Sequence, residues 1–224
     1  MFSSFSEARE HYLLLDEESR RNTDFTTKLI WDLANIPKIY QDLDISKDWC
    51  GDESAQRFVQ EYFQQLDYFF DNGIGVIFLG PNGTGKTFLA TQILKEAIRS
   101  FDYRFPPLFS GYFSTFSDMI SFYTEGWVDQ DSRRMFEVKV EQVDILVIDD
   151  IGAEYMRRNS NLNQAALDEV LRKRIYEKKI NIITSNKSFE QLKENYGSNI
   201  ISLLGERTLK VIVSGEDFRR RVWA

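Results

Sequence analysis

Short apolar runs alternate with stretches of helical period along most of this chain. Residues 76–79, 145–148 and 180–184 are dominated by Val, Ile, Leu and Phe, which suits buried strands. Residues 111–114 and 211–213 predict two more strands. Between them the spacing turns helical. Residues 88–98 place Leu89, Ile93, Leu94 and Ala97 on one face, and residues 162–179 form a long amphipathic stretch. Shorter helices are predicted over 117–123, 132–140, 189–196 and 199–207. Upstream, residues 54–70 carry Phe58, Tyr62, Phe63, Leu66 and Phe69 at spacings of mostly three and four, stopped by Asp71-Asn72-Gly73. Strands that alternate with helices predict an α/β fold with a parallel sheet covered on both faces.

The first 35 residues read differently. They are helical and charged, best over 7–21, with Phe2, Phe5, Tyr12 and Leu13 as apolar anchors. Two arrangements are open: the segment packs back on the core, or it is a short N-terminal arm that docks a partner. The second is favoured, which divides the chain into an arm over 1–35 and a domain over 36–224. Ile36-Pro37 breaks the helical pattern, since proline disfavours helix in the residue before it.

Composition narrows the function. The 224 residues are 42% apolar and 14% aromatic, enough for a substantial core. No run approaches the ~18 to 20 apolar residues of a membrane span, and the first residues carry no apolar signal-peptide core. A cytoplasmic protein without a membrane partner is expected. The lone Cys50 excludes an internal disulfide, and the lone His11 leaves no material for histidine-based metal or triad chemistry. The net charge of −7 argues against broad coating of nucleic acid. The excess is uneven: residues 1–73 hold 7 Lys and Arg against 15 Asp and Glu, and residues 74–224 hold 21 against 20. The second part can therefore present local basic patches.

The chemistry centres on Gly80-Pro81-Asn82-Gly83-Thr84-Gly85-Lys86-Thr87, which fits G-x-x-x-x-G-K-[ST] between a predicted strand and a predicted helix that opens at Phe88. The glycines let the backbone wrap a phosphate closely, and the loop N–H groups face the anion with the positive end of the helix. Lys86 is expected to reach the β- and γ-phosphates of ATP, and the Thr87 hydroxyl to hold Mg²⁺. A second feature ends the strand at 145–148 with Asp149 and Asp150. Carboxylates at that edge of a parallel sheet project into the crevice where ligands bind. Asp149 is assigned to Mg²⁺ beside Thr87, and Asp150 to orienting or deprotonating the attacking water. Thr184-Ser185-Asn186 closes the next strand with polar groups at the same edge.

In order, these motifs resemble an AAA+ ATPase of the DnaC/IstB-like branch, a three-layer fold of the phosphate-loop NTPases. The resemblance rests on Ile36-Pro37-Lys38-Ile39-Tyr40, the phosphate loop, Ile148-Asp149-Asp150-Ile151-Gly152-Ala153-Glu154, Thr184-Ser185-Asn186, Gly205-Glu206-Arg207-Thr208-Leu209, and Gly215-Glu216-Asp217-Phe218-Arg219-Arg220. It implies that Ile36 and Tyr40 lie near the adenine, that Asn186 is the first nucleotide sensor and that Arg219, in a minimal C-terminal part, is the second. Relatives carry a second arginine shortly after the Glu206-Arg207-Thr208-Leu209 stretch that reaches the ATP of a neighbouring subunit in a helical or ring-like assembly; here Arg207 remains for that reach, with Lys210 as a substitute. Lys210 follows almost at once, so the segment after Arg207 is shorter than in relatives.

Two places suit DNA. Residues 112–140 interleave aromatics, including Phe116, with basic side chains, as sequence-tolerant single-strand binding requires. By resemblance, the favoured place is the loop after the acidic strand, with Tyr155, Arg157, Arg158 and Ser160, since its arginines sit where relatives meet the phosphate backbone. The expected function is an ATP-hydrolysing helicase loader that places a hexameric, DnaB-like replicative helicase on single-stranded DNA. The alternatives are an IstB-like transposase helper acting on duplex DNA and a nucleotide-bound adaptor with little hydrolysis of its own.

Overall fold

A computed structural model of the chain describes residues 24–102, 110–153 and 160–218. Five strands form one parallel sheet in the order β2-β3-β4-β1-β5: β1 Gly75–Leu79, β2 Gly111–Thr115, β3 Ile145–Ile151, β4 Ile180–Ser185 and β5 Thr208–Ile212. Alternation along each strand splits the core. Val76, Phe78, Val147 and Ile182 face one layer, while Ile77, Leu79, Ile148 and Ile183 face the other. The first layer holds α1 (Asp24–Leu33), α3 (Glu53–Gln64), α4 (Leu66–Asn72) and α5 (Lys86–Asp102), with the one-turn α2 (Lys38–Gln41) between α1 and α3. The second holds α6 (Phe116–Glu125), α7 (Gln130–Phe136), α8 (Ser160–Tyr176), α9 (Phe189–Tyr196) and α10 (Ser198–Arg207). This is the expected three-layer α/β fold. No helix among the described residues is long and apolar enough to cross a membrane.

Local chemistry sets the ends of these elements. The Asp52 side chain accepts from the backbone N–H groups of Ser54 and Ala55 and starts α3. Gly73, at φ 61°, closes α4, with its N–H on the Phe70 carbonyl and that of Ile74 on Phe69.

Four expectations change. The helix expected over 54–70 is two helices, because Gln65 leaves the helical region at φ −114°, ψ 21°. The helix expected over 132–140 widens at Glu137 into a π turn (Glu137–Glu141), marked by the Gln142 N–H on the Glu137 carbonyl. The last strand begins three residues earlier than its apolar core, since Thr208 already pairs with Gly75 on β1. And the boundary after residue 35 does not separate an arm from the domain. Trp31 and Ala34 are buried in the same core as Ile36, the Phe113 N–H bonds the Ala34 carbonyl at 2.8 Å, and Asn35 Nδ2 bonds the Phe113 carbonyl at 2.8 Å. The segment therefore packs back on the core from Trp31 onward; residues 1–23 lie outside the described residues.

Candidate functional site

A parallel sheet sends the carboxyl ends of all its strands to one edge. Here β1 sits where the chain order reverses, between β4 and β5, so a crevice opens beyond it. The loop leaving β1 turns directly into α5, whose first residue is Lys86. Gly83 and Gly85 have φ of 77° and 90°, a region closed to most side chains. Their surroundings exclude a side chain as well: a Cβ on Gly83 would sit 1.8 Å from Asp217 Oδ1, and one on Gly85 would sit 2.5 Å from the Trp49 ring. Inside the loop, Thr84 Oγ1 donates to the Pro81 carbonyl at 3.0 Å and Lys86 Nζ to the same carbonyl at 2.6 Å.

The acidic strand end lies against this loop. Thr87 Oγ1 donates to Asp149 Oδ1 at 2.8 Å, and Thr184 Oγ1 donates to the same oxygen at 2.6 Å. Burial pushes the Asp149 carboxyl above the ordinary carboxylate range, against the two hydroxyl donors that favour its charge. The pairing of β3 with β4 shifts register between Ile148 and Ile151, and Asp150 takes φ 61° there. This bulge separates neighbours that strict alternation would simply oppose. Asp149 turns inward and is buried, while Asp150 is exposed at the mouth, its N–H on Thr184 Oγ1 at 2.9 Å. From β4, Asn186 Nδ2 reaches Asn82 Oδ1 at 3.2 Å, and its buried Oδ1 has no hydrogen-bond partner among the described residues.

Together these groups line a cleft of about 610 Å³, in the range of small-molecule sites. Ile39, Tyr40, Leu43 and Phe88 form its apolar side; Asp149, Asp150, Thr184 and Asn186 form the polar side. The C-terminal motif closes over the loop. Ser214 donates through its N–H and hydroxyl to Asp52 Oδ2, the Phe218 N–H bonds the Gly83 carbonyl at 3.1 Å, and the Phe218 ring lies 6.1 Å from Trp49. The Ser214 and Ser54 hydroxyls hold the Asp52 carboxyl well below the usual range. Trp49 in turn stacks on Phe88 at 5.6 Å.

The predicted residues from Gly80 to Phe88, with Tyr40, Asp149, Asp150 and Asn186, are thus gathered around one cleft. Three others are not. Ile36 is buried 3% exposed in the core, with its carbonyl taken by Gln41 Nε2, so the apolar wall is made by Ile39, Tyr40 and Leu43 instead. Phe116 is 1% exposed and meets Tyr196 edge-on at 6.0 Å, so its ring has no face left for a base. Arg207 ends α10 at the opposite end of the sheet, with Nη1 on the Asn72 carbonyl at 2.9 Å. Tyr155, Arg157, Arg158 and Arg219 lie outside the described residues, as does the Ser160 side chain. Sequence reasoning passed over Trp49, Leu43, Gln92 and Lys95. The last two had a signal: Phe88, Gln92, Lys95 and Arg99 follow one another by four, three and four along α5, a polar stripe continuing the line of a cleft residue.

The donor set suits a magnesium nucleotide. A hydroxyl and a carboxylate oxygen side by side are hard ligands of the kind Mg²⁺ prefers, and the glycine turns beside an ammonium form a cradle for an anion. The profile of the IstB-like ATP-binding proteins matches residues 3–221. The chain belongs to this family. A curated relative, an ATP-binding protein of the insertion sequence IS5376 from Geobacillus stearothermophilus, is 30% identical over 159 residues, which is 68% of this chain and 58% of that protein. This IstB-like chain thus spans little more than half the length of that relative. In fold it is similar to the DnaC helicase loader (TM-score 0.66, 22% identity, 80% of this chain and all of that one) and to DnaI (TM-score 0.63, 19% identity, 80% and 95%). It is also similar to the replication initiator DnaA bound to AMPPCP and single-stranded DNA (TM-score 0.62, 16% identity, 81% and 51%). The fold is that of the DnaC, DnaI and DnaA structures, built on a five-stranded parallel sheet.

Proposed function

We propose that this IstB-like chain hydrolyses ATP to assist a DNA-transposing enzyme. The observation that carries the reading is the hydroxyl–carboxylate pair Thr87–Asp149 at the foot of a phosphate loop, in a chain related to an insertion-sequence ATP-binding protein. Lys86 and the loop N–H groups would bind the β- and γ-phosphates. Thr87 and Asp149 would hold Mg²⁺, which supplies charge neutralisation on the phosphates. Asp150, exposed at the mouth and held at a positive φ, would orient the attacking water and accept its proton. Asn186, with its orphaned amide oxygen, would report on the γ-phosphate side. Arg207 is too far from its own chain's loop to take part there. Its role would be on a neighbouring copy in an assembly, where such an arginine is worth roughly 10³ to 10⁵ in rate. ATP-bound copies would grip duplex DNA and the partner, and hydrolysis would release both.

The helicase-loader reading uses the same nucleotide site and differs in the DNA and the partner. The insertion-sequence relative favours the transposase reading; the likeness to DnaC and DnaI extends to the fold. One experiment separates them: ATP turnover by the full chain alone, with single-stranded DNA and with duplex, alongside nuclease footprints made with a non-hydrolysable ATP analogue. Duplex-stimulated turnover with a duplex footprint is the expected result. Stimulation by single strands alone would support the loader, and tight ATP binding without turnover under any condition would leave a nucleotide-held adaptor.

A further inference from the structure

Lys95 is one of the largest fully buried side chains among the described residues, 1% exposed, yet it carries an ammonium group. Among the described residues no carboxylate lies within ion-pair distance of it. Its three protons are matched by three backbone carbonyls: Nζ donates to Tyr40 at 3.2 Å, to Gln41 at 2.9 Å and to Leu43 at 2.6 Å. Those carbonyls belong to the last two residues of the one-turn helix α2 and to the second residue after it, where the chain has few intrahelical donors to offer. Gln92, one turn earlier on α5, adds a second bond to the Leu43 carbonyl at 3.2 Å. The Trp31 ring covers the ammonium, with Nζ 5.7 Å from its centroid.

Tyr40 and Leu43 line the apolar side of the cleft; Lys95 does not. A single helix therefore carries both ends of the site. Its first residue, Lys86, sits in the phosphate loop, and Lys95, nine residues along and about 14 Å away, holds the backbone that forms the apolar wall. We infer that Lys95 is a positioning residue for the nucleoside half of the ligand: it fixes the Tyr40–Leu43 wall, so the affinity for ATP depends on it and the affinity for the triphosphate part alone does not. The inference rests on the nucleotide reading of the cleft and assigns its base-side specificity to a residue that never touches the base.

The test is equilibrium binding to the full chain of ATP and of inorganic tripolyphosphate, both with Mg²⁺, for wild type, Lys95→Met and Gln92→Leu. Lys95→Met should weaken ATP about tenfold and leave tripolyphosphate within about twofold. Gln92→Leu, which keeps the ammonium, should shift ATP less and in the same direction. Unchanged ATP affinity in Lys95→Met, or an equal loss of both ligands, overturns the inference. Should Lys95→Met fail to fold, Gln92→Leu decides alone: a loss of ATP affinity larger than that of tripolyphosphate supports it, and equal affinities sink it. A wild type that binds neither ligand overturns the nucleotide reading itself, and the inference with it.

Discussion

Asp149, the proposed Mg²⁺ ligand, sits in a position that acts against stability. Its carboxyl is buried, and burial raises its pKa even though two hydroxyls donate to one of its oxygens. Both donors meet Oδ1, so an asparagine can accept them and the variant loses only the buried charge. Asp149→Asn should therefore raise the melting temperature of the nucleotide-free protein by about 2 to 4 °C and abolish Mg²⁺-dependent ATP turnover; calorimetry and a phosphate-release assay check the two halves. Lys95 gives a pH signature with a definite sign. Burial, aided by Arg99, lowers its pKa from 10.5 to about 8, against Asp44, Asp42 and Asp48, which raise it. Between those values the unfolded chain binds the extra proton, so the residue's contribution to stability rises with pH through this window and is smallest below it. Urea melts at pH 7.5 and 9.5 should show wild type gaining about 1 kcal/mol relative to Lys95→Met as pH rises; a parallel response would refute it.

At the scale of elements, the π turn is held from outside by basic side chains, Lys179 on the Glu141 and Gln142 carbonyls and, most deeply buried, Arg174. Arg174 on α8 is fully buried, and its guanidinium donates to the carbonyls of Val140 and Val143 at 2.8 Å, of Ile180 at 2.7 Å, and to Asn181 Oδ1 at 2.6 Å. Arg174→Met would strand these acceptors in the core and should cost at least about 3 kcal/mol, by chemical denaturation. The turn was illegible in the sequence because its cause lies more than thirty residues downstream. The early start of β5 was hidden for a related reason. It is an edge strand with one paired side, so Thr208, Leu209 and Lys210 carry no continuous apolar signal, and its register comes from β1. By contrast β1, β3 and β4 lie inside the sheet, and their predominantly apolar runs could be read directly.

For the whole molecule, the question is whether one chain holds a complete hydrolytic site. Lys86, Thr87, Asp149, Asp150 and Asn186 share a cleft, while Arg207 is anchored to Asn72 at the far end of the sheet. If a neighbour's Arg207 completes the site, two inactive variants should rescue each other. Mixing Asp150→Asn chains with Arg207→Ala chains should restore about a quarter of wild-type turnover, the share of sites that pair an intact Asp150 with an intact Arg207. No recovery would place the arginine's role within its own chain's stability. Arg207→Lys, which keeps a donor for Asn72, separates that structural effect from loss of the guanidinium.

The sequence alone determined the layered α/β architecture, the phosphate loop, the paired aspartates and the polar end of β4. Each is a local pattern: an apolar run, a glycine spacing, a carboxylate at a strand end. Tertiary structure decided everything that depends on two segments meeting. It turned Asp149 inward and Asp150 outward through a bulge against β4, put Trp49 against Gly85, took Ile36 out of the cleft into the core and set Lys95 beneath Tyr40 and Leu43. A contact between residues about fifty positions apart leaves no period in a sequence; it follows from which backbone carbonyls and ring faces the packed layers bring together.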